Sequence, residues 1–195
     1  MQSIHSTISY LINRLSSLQV LPVIFSSLLM TQCGIAQLSK PAGLCENPEF
    51  DKEVSKWIRQ SVPVIGAQEL YNKLDAHPRD LYLLDARDKK EYEVSHLPGA
   101  IRVGYDDFSK DRIQQIPKDA EVIVYCSIGY RSEKVGEKLR KMGYSHVENL
   151  YGSIFDWANR DYPLVNTQGD TTHSVHTYNK KWGQWVNENH AKKVW

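Results

Sequence analysis

Cys126 begins the segment of the chain whose residue types are best suited to chemistry. It follows the apolar run Val122–Tyr125, and the residues after it are Ser127, Ile128, Gly129, Tyr130, Arg131 and Ser132. In such a loop, with one glycine and a helix after it, successive backbone N–H groups point inward and form an anion-binding nest. The positive helix end and the Arg131 charge act in the same direction, and both favour a thiolate over a thiol. The spacing therefore predicts a nucleophilic cysteine that meets an anionic sulfur or phosphorus substrate.

Asp85 and Arg87 come directly after a second apolar run, residues 81–84. Because the carboxyl ends of neighbouring parallel strands meet at one edge of a sheet, we expect both residues to support the site around Cys126. A direct catalytic role is the less favoured interpretation. We predict instead that Arg87 is held by Asp85 or by Glu91 and ties the surrounding loops together.

The elements that must position these residues alternate along the chain. Short apolar runs predict strands near residues 63–65, 81–84, 99–103, 121–125 and 146–150. Helical spacing predicts helices at residues 46–60, 66–75, 88–94, 107–115, 132–142 and 152–159. This alternation is typical of an α/β fold with a mostly parallel central sheet flanked by helices.

Composition narrows the classes of function. Hydrophobic residues make up 41% of the 195 residues and charged residues 24%, which are the proportions of a globular protein. The formal net charge of +1 provides no broad positive field, so we expect no nucleic-acid partner. Three cysteines are too few for a disulfide scaffold. Cys45 is predicted to be an exposed, unpaired thiol, and no histidine has the spacing of a metal ligand.

Three motifs resemble those of the rhodanese-like sulfurtransferases over about residues 62–165. The active loop of that family has the pattern C-x-x-G-x-R-S, which residues 126–132 match. A second pattern, D-x-R followed by an acidic–aromatic pair and H-L-P-G-A, is met by residues 85–87, 91–92 and 96–100. A third pattern, G-G-x-x-x-W, corresponds to residues 152–157 and ends at Trp157. Ser95 and Ser153 stand where the family pattern has glycine, and we expect these departures to cause small backbone adjustments.

The resemblance implies a rhodanese-like three-layer fold and a two-step sulfur transfer. The Cys126 thiolate would take the sulfane sulfur of thiosulfate or a persulfide donor, and the Cys126 persulfide would pass it to a thiol or cyanide. Neither a metal nor another cofactor is implied. Only four residues separate Cys126 from Arg131, one fewer than in related phosphatases, which disfavours a small phosphatase or arsenate reductase. A non-catalytic module for partner binding or redox sensing stays the main alternative.

The first 36 residues differ in composition from the rest of the chain. They contain Arg14 but no Lys, Asp or Glu, and an apolar run spans residues 18–30. That run is about as long as the apolar core of a secretory signal and shorter than the roughly 20 residues of a membrane span. We predict export, with cleavage after Ala36. Acylation on Cys33 as a periplasmic lipoprotein, or an uncleaved anchor, would instead attach the protein to the membrane.

The whole chain is therefore divided into four segments. Residues 1–36 are a signal segment, residues 37–61 a lead-in with a short helix, and residues 62–165 the rhodanese-like domain. Residues 166–195 form a polar linker and a C-terminal amphipathic helix. The helix is predicted because Tyr178, Trp182, Trp185 and Val186 follow helical spacing. The sequence does not define the oligomeric state.

Overall fold

The computed structural model describes residues 43–76 and 79–195. Five parallel strands form the central sheet in the order β1-β5-β4-β2-β3. Their bounds are β1 Val64–Ile65, β2 Leu81–Asp85, β3 Ile101–Arg102, β4 Glu121–Tyr125 and β5 His146–Leu150. The helices are α1 Pro48–Val54, α2 Ala67–Asp75, α3 Lys89–Val94, α4 Tyr130–Lys141 and α5 Ser153–Asn159. The predicted α/β fold with a parallel sheet flanked by helices is confirmed.

β4 lies at the centre of the sheet, and its side chains are buried on both faces. Ile123 and Tyr125 belong to one apolar cluster, and Val122 and Val124 belong to a second cluster on the opposite face. Side chains of a strand alternate between the faces of a sheet, so a strand covered on both sides is apolar throughout. This explains why the most continuous apolar run of the sequence is the strand that carries Cys126 at its end.

The register of β2 and β4 places the two polar strand ends side by side. Asp85 is paired with Tyr125, and the backbone N–H of Ala86 donates to the carbonyl oxygen of Tyr125 over 2.8 Å. The loop that begins at Cys126 and the turn that contains Arg87 therefore leave the same edge of the sheet.

Helix α4 begins at Tyr130, two residues before the predicted start. Its N-cap, Gly129, has φ 119°, and a Cβ on this residue would clash with Cδ1 of Ile58. Glycine is favoured here chiefly by this backbone conformation, and any side chain would also require Ile58 to shift. The backbone N–H of this N-cap residue points to Sγ of Cys126.

One segment inside the domain and the segments on either side of it differ from the sequence predictions. The lead-in helix is shorter than predicted and ends at Val54, and the predicted helix at residues 107–115 is a 3₁₀ turn, Lys110–Ile113. The predicted C-terminal amphipathic helix is wrong: it is a single turn, α6 Lys180–Gly183. Short parallel strands, β6 Ser174–His176 and β7 Lys192–Val194, lie before and after it.

The aromatic residues of this tail pack against separate parts of the domain instead of forming one helical stripe. The ring of Trp182 lies 5.4 Å from that of Trp57, whereas Trp185 lies 5.7 Å from Phe50. The pairing of β7 with β6 also requires the chain to turn back after α6. Tertiary packing therefore overrides the helical spacing.

The predicted signal segment, including Cys33 and Ala36, lies outside the described residues. Within residues 43–76 and 79–195, no helix combines the length and apolar character needed to cross a bilayer.

Candidate active site

The sulfur of Cys126 is surrounded by hydrogen-bond donors from its own loop. The backbone N–H of Gly129 donates to Sγ over 3.2 Å, and the hydroxyl oxygen of Ser132 lies 3.5 Å from Sγ. The side chain is almost completely buried, with 1% of its surface exposed. The inward-pointing N–H group that the sequence predicted is present at the sulfur.

Electrostatics favour the thiolate of Cys126. Burial by itself raises the pKa of the thiol, but the Arg131 charge and hydrogen bonds from Ser132 and Gly129 outweigh burial. The pKa of Cys126 is therefore below the ordinary value of a thiol. A lowered pKa increases the fraction of nucleophilic thiolate at neutral pH.

Arg131 is not a free cation, because a buried carboxylate binds it. Its guanidinium donates to both carboxylate oxygens of Glu91, over 2.7 and 2.8 Å, and to the Ser127 hydroxyl over 2.9 Å. Burial raises the pKa of Glu91, but hydrogen bonds and charge from Arg131 reverse the effect and leave that pKa lowered. From the sequence, Glu91 was expected only as part of the second motif and as an alternative partner of Arg87. Its pairing with Arg131 depends on α3 packing against the loop.

Asn149 and Ser153 also hold the Cys126 loop, and neither had been assigned a role from the sequence. Asn149, at the end of β5, accepts from the Ser132 hydroxyl over 2.7 Å and donates to the Gly129 carbonyl over 3.0 Å. Ser153 accepts the backbone N–H of Cys126 over 3.0 Å and donates to the Leu150 carbonyl over 2.9 Å. The departure of Ser153 from the family pattern was the available signal, whereas nothing marked Asn149.

Asp85 and Arg87 form a buried ion pair beside the loop. The closest approach is 2.6 Å, and the guanidinium also donates to the Ser95 carbonyl over 2.7 Å. Both side chains are completely buried, and neither lines the pocket in front of Cys126. Of the two predicted partners of Arg87, the structure selects Asp85 and not Glu91. The pair connects β2 to the segment before β3.

A pocket of about 330 Å³ opens in front of Cys126. Ser127, Ile128, Tyr130 and Arg131 of the loop contribute to its lining. Gly129 and Ser132 do not line the pocket. The Gly129 N–H binds the sulfur, and both residues form hydrogen bonds with Asn149. The other lining residues are Trp57, Asp88, Tyr105, Asp106, Tyr178 and Trp182. The predicted loop residues are thus together at one site, but the two terminal segments supply part of its wall.

The prediction of an exposed thiol at Cys45 is wrong. Only 5% of Cys45 is exposed, because the lead-in folds back onto the domain. A Cβ on Gly152 would lie 2.6 Å from its Sγ, and burial strongly raises the pKa of the Cys45 thiol. Cys45 is therefore a protonated core residue. In the described part of the chain, no three His, Cys, Asp or Glu side chains are grouped to hold a metal.

Comparison with known proteins agrees with this fold. The model of the family described as the rhodanese-like domain matches residues 66–160. Over 105 residues the chain is 33% identical to a protein named sulfurtransferase from Allochromatium vinosum, a match that covers 54% of this chain and 96% of that protein.

Two other similar proteins cover less or are more distant. The putative sulfur carrier protein YrkF of Bacillus subtilis is 29% identical over 100 residues, or 51% of this chain, which spans only 53% of that relative. The solution structure of a rhodanese-like domain from Anabaena sp. has a TM-score of 0.50 and 24% identity, covering 54% of this chain and 80% of that one. This structural similarity concerns the fold alone. With its fold, its cysteine loop and these matches, the chain belongs to the rhodanese-like domain family.

Proposed function

We propose that this protein is a sulfurtransferase that carries a sulfane sulfur on Cys126. The observation that carries the proposal is a buried sulfur with a lowered thiol pKa, bound by the Gly129 N–H group and facing a pocket. A low-pKa cysteine at such a position is suited to nucleophilic attack. The name of the Allochromatium relative supports the same class of reaction.

Each step of the reaction conserves charge and sulfur. The Cys126 thiolate attacks the outer sulfur of thiosulfate, the S–S bond of the donor breaks, and sulfite leaves with the bonding electron pair. The product is a Cys126 persulfide anion. A thiol or cyanide then attacks its outer sulfur and restores the thiolate. Donation from loop N–H groups stabilises negative charge on sulfur in both states.

The test is the mass of the intact full-length protein after incubation with thiosulfate or, separately, with methanethiosulfonate. We expect a gain of one sulfur atom that is lost on addition of cyanide. Cys126→Ser should abolish this gain, whereas the matched variant Cys45→Ala should retain it. An equal gain in Cys126→Ser would overturn the proposal. No gain in the wild-type protein with either donor would favour a non-catalytic module.

We also propose that residues 1–36 direct export to the periplasm, with or without attachment to the membrane. Support comes from the apolar run of residues 18–30 and the absence of Lys, Asp and Glu before residue 37. Fractionation of cells that express the full chain tests this. Recovery only in the cytoplasm with residues 1–36 attached would contradict it.

A further inference from the structure

The entrance to Cys126 is lined by an aromatic vestibule, defined here as Trp57, Tyr130, Tyr178 and Trp182. The ring of Trp57 lies 6.2 Å from Tyr130 and 5.4 Å from Trp182, in edge-to-face arrangements. The guanidinium of Arg131 lies 5.4 Å from the ring of Tyr178. Trp57, Tyr178 and Trp182 all fall outside the part of the chain that matches the family, residues 66–160. The vestibule is thus built largely by this chain's own terminal segments.

Hydrogen bonds fix the two walls of the vestibule. The buried carboxylate of Glu133, in the first turn of α4, accepts the backbone N–H groups of Arg59 and Ser61 over 3.0 and 2.9 Å. On the other side, the Asn179 side chain accepts the N–H of Trp182 over 3.0 Å. A wall already held in place loses little entropy when a ligand binds. The backbone segments next to Trp57 and Trp182 are therefore held in place before a ligand arrives.

The rings remain accessible to a ligand. Trp57 and Tyr130 are each 41% exposed and Tyr178 is 51% exposed. The pocket volume of about 330 Å³ lies within the range of clefts that hold organic ligands, about 300–1,000 Å³. Thiosulfate would fill only a small part of this space and has no apolar surface to place on the rings.

The charges of the pocket do not favour a dianion. Two carboxylates, Asp88 and Asp106, belong to its lining. The one guanidinium in that lining, Arg131, donates two hydrogen bonds to the buried Glu91 carboxylate and lies 4.0 Å from Asp88, so these carboxylates offset its charge. A doubly charged donor would approach these carboxylates without a free cation among the lining residues to offset the repulsion. A donor with one negative charge is repelled less.

We propose that the aromatic vestibule selects an organic sulfur donor that carries one negative charge and an aromatic group. This inference rests on the proposed function, because the donor's outer sulfur must reach Cys126. With an arenethiosulfonate, the Cys126 thiolate attacks the outer sulfur and the bond between the two sulfur atoms breaks. The arenesulfinate leaves with the electron pair, and a Cys126 persulfide anion remains. Two negative charges are present before and after the step.

The experiment measures the rate constant for adding one sulfur to Cys126 of the full-length protein, followed by intact mass. The donors are benzenethiosulfonate and methanethiosulfonate, and each rate is divided by that of free cysteine with the same donor to remove intrinsic reactivity. We expect the corrected aryl-to-methyl ratio to be about 10 in the wild type, equivalent to about 1.4 kcal/mol. It should fall towards 1 in Trp57→Ala and in Tyr178→Ala.

Trp195→Ala is the matched control, because this aromatic residue is 59% exposed and does not line the pocket. It should keep the wild-type ratio. A wild-type ratio near 1, or an equal fall in Trp57→Ala and Trp195→Ala, would overturn the vestibule proposal while sulfur addition itself still occurred. Failure of both donors to modify Cys126 would instead contradict the proposed function and remove the basis for the vestibule proposal.

Discussion

The ends of the neighbouring strands β2 and β4 both carry polar residues, yet the two ends are built in opposite ways. After β2, the charges of Asp85 and Arg87 neutralise each other within 2.6 Å and are completely buried. After β4, the sulfur of Cys126 faces the pocket and accepts from Gly129. The first strand end buries its polar groups in the protein interior, and the second keeps a nucleophile at the edge of a pocket where a ligand can reach it.

The comparison shows that charge alone does not identify a reactive group. Arg87 and Arg131 follow adjacent strands, and each forms an ion pair with a carboxylate, Asp85 or Glu91. What distinguishes the β4 end is a titratable group whose pKa the surroundings lower and which borders a pocket. Perturbed titration in a cleft is a better indicator of function than a buried ion pair.

The largest expected effect comes from breaking the β2 pair. Arg87→Met leaves the Asp85 carboxylate buried without its counter-charge and should lower the free energy of unfolding by about 3–5 kcal/mol. Urea denaturation measures it. The double variant Asp85→Asn, Arg87→Met leaves no buried charge and should recover at least about 1 kcal/mol of that loss. A double variant less stable than Arg87→Met would show that the unpaired Asp85 charge is not the cause of the loss.

A smaller effect is expected from removing the partner of Arg131. Glu91→Gln weakens a charge-assisted bidentate bond and should cost about 2 kcal/mol at neutral pH. The folded-state pKa of Glu91 is lowered, so its contribution is present above the unfolded carboxyl pKa and is lost as pH falls through the folded value. The stability difference between wild type and variant should therefore shrink on acidification in urea titrations.

The same variant sharpens the comparison at the sulfur. Loss of the Glu91 charge leaves Arg131 with only the more distant Asp88 carboxylate, 4.0 Å away, so the pKa of Cys126 should fall further and thiosulfate should react faster relative to methanethiosulfonate. The pH profile of iodoacetamide alkylation measures the pKa. A rise in the pKa of Cys126 would show that Glu91 acts mainly by positioning Arg131 and not by neutralising it.

The smallest effect concerns Ser132. Its hydroxyl carries one hydrogen, and Asn149 lies closer to it, at 2.7 Å, than Sγ of Cys126 does, at 3.5 Å. Ser132→Ala should therefore raise the pKa of Cys126 by less than about 1 unit and move the alkylation profile to higher pH. Ser145→Ala is the control, because this residue is exposed and does not line the pocket; it should leave the profile unchanged. A fall in the pKa of Cys126 would contradict the hydrogen bond from the Ser132 hydroxyl to Sγ.

Local patterns predicted the domain well because its strands and helices have short-range causes. β4 is a continuous apolar run, and Gly129 marks the turn into α4. Prediction failed where distant segments determine the outcome. Trp182 and Trp185 have helical spacing, but their contacts with Trp57 and Phe50 separate them. Cys45 is in a polar stretch, yet the lead-in places its sulfur against Gly152.

The sequence by itself determined the order of strands and helices and the loop of residues 126–132, because periodicity and glycine act within a few residues. Only the tertiary structure decided that Glu91 binds Arg131, that Asn149 and Ser153 hold the loop, and that Trp57 and Trp182 meet at the pocket in front of Cys126. These contacts join residues far apart in the chain. They form because neighbouring parallel strands end at one edge of the sheet and the terminal segments fold back to bury their apolar side chains there.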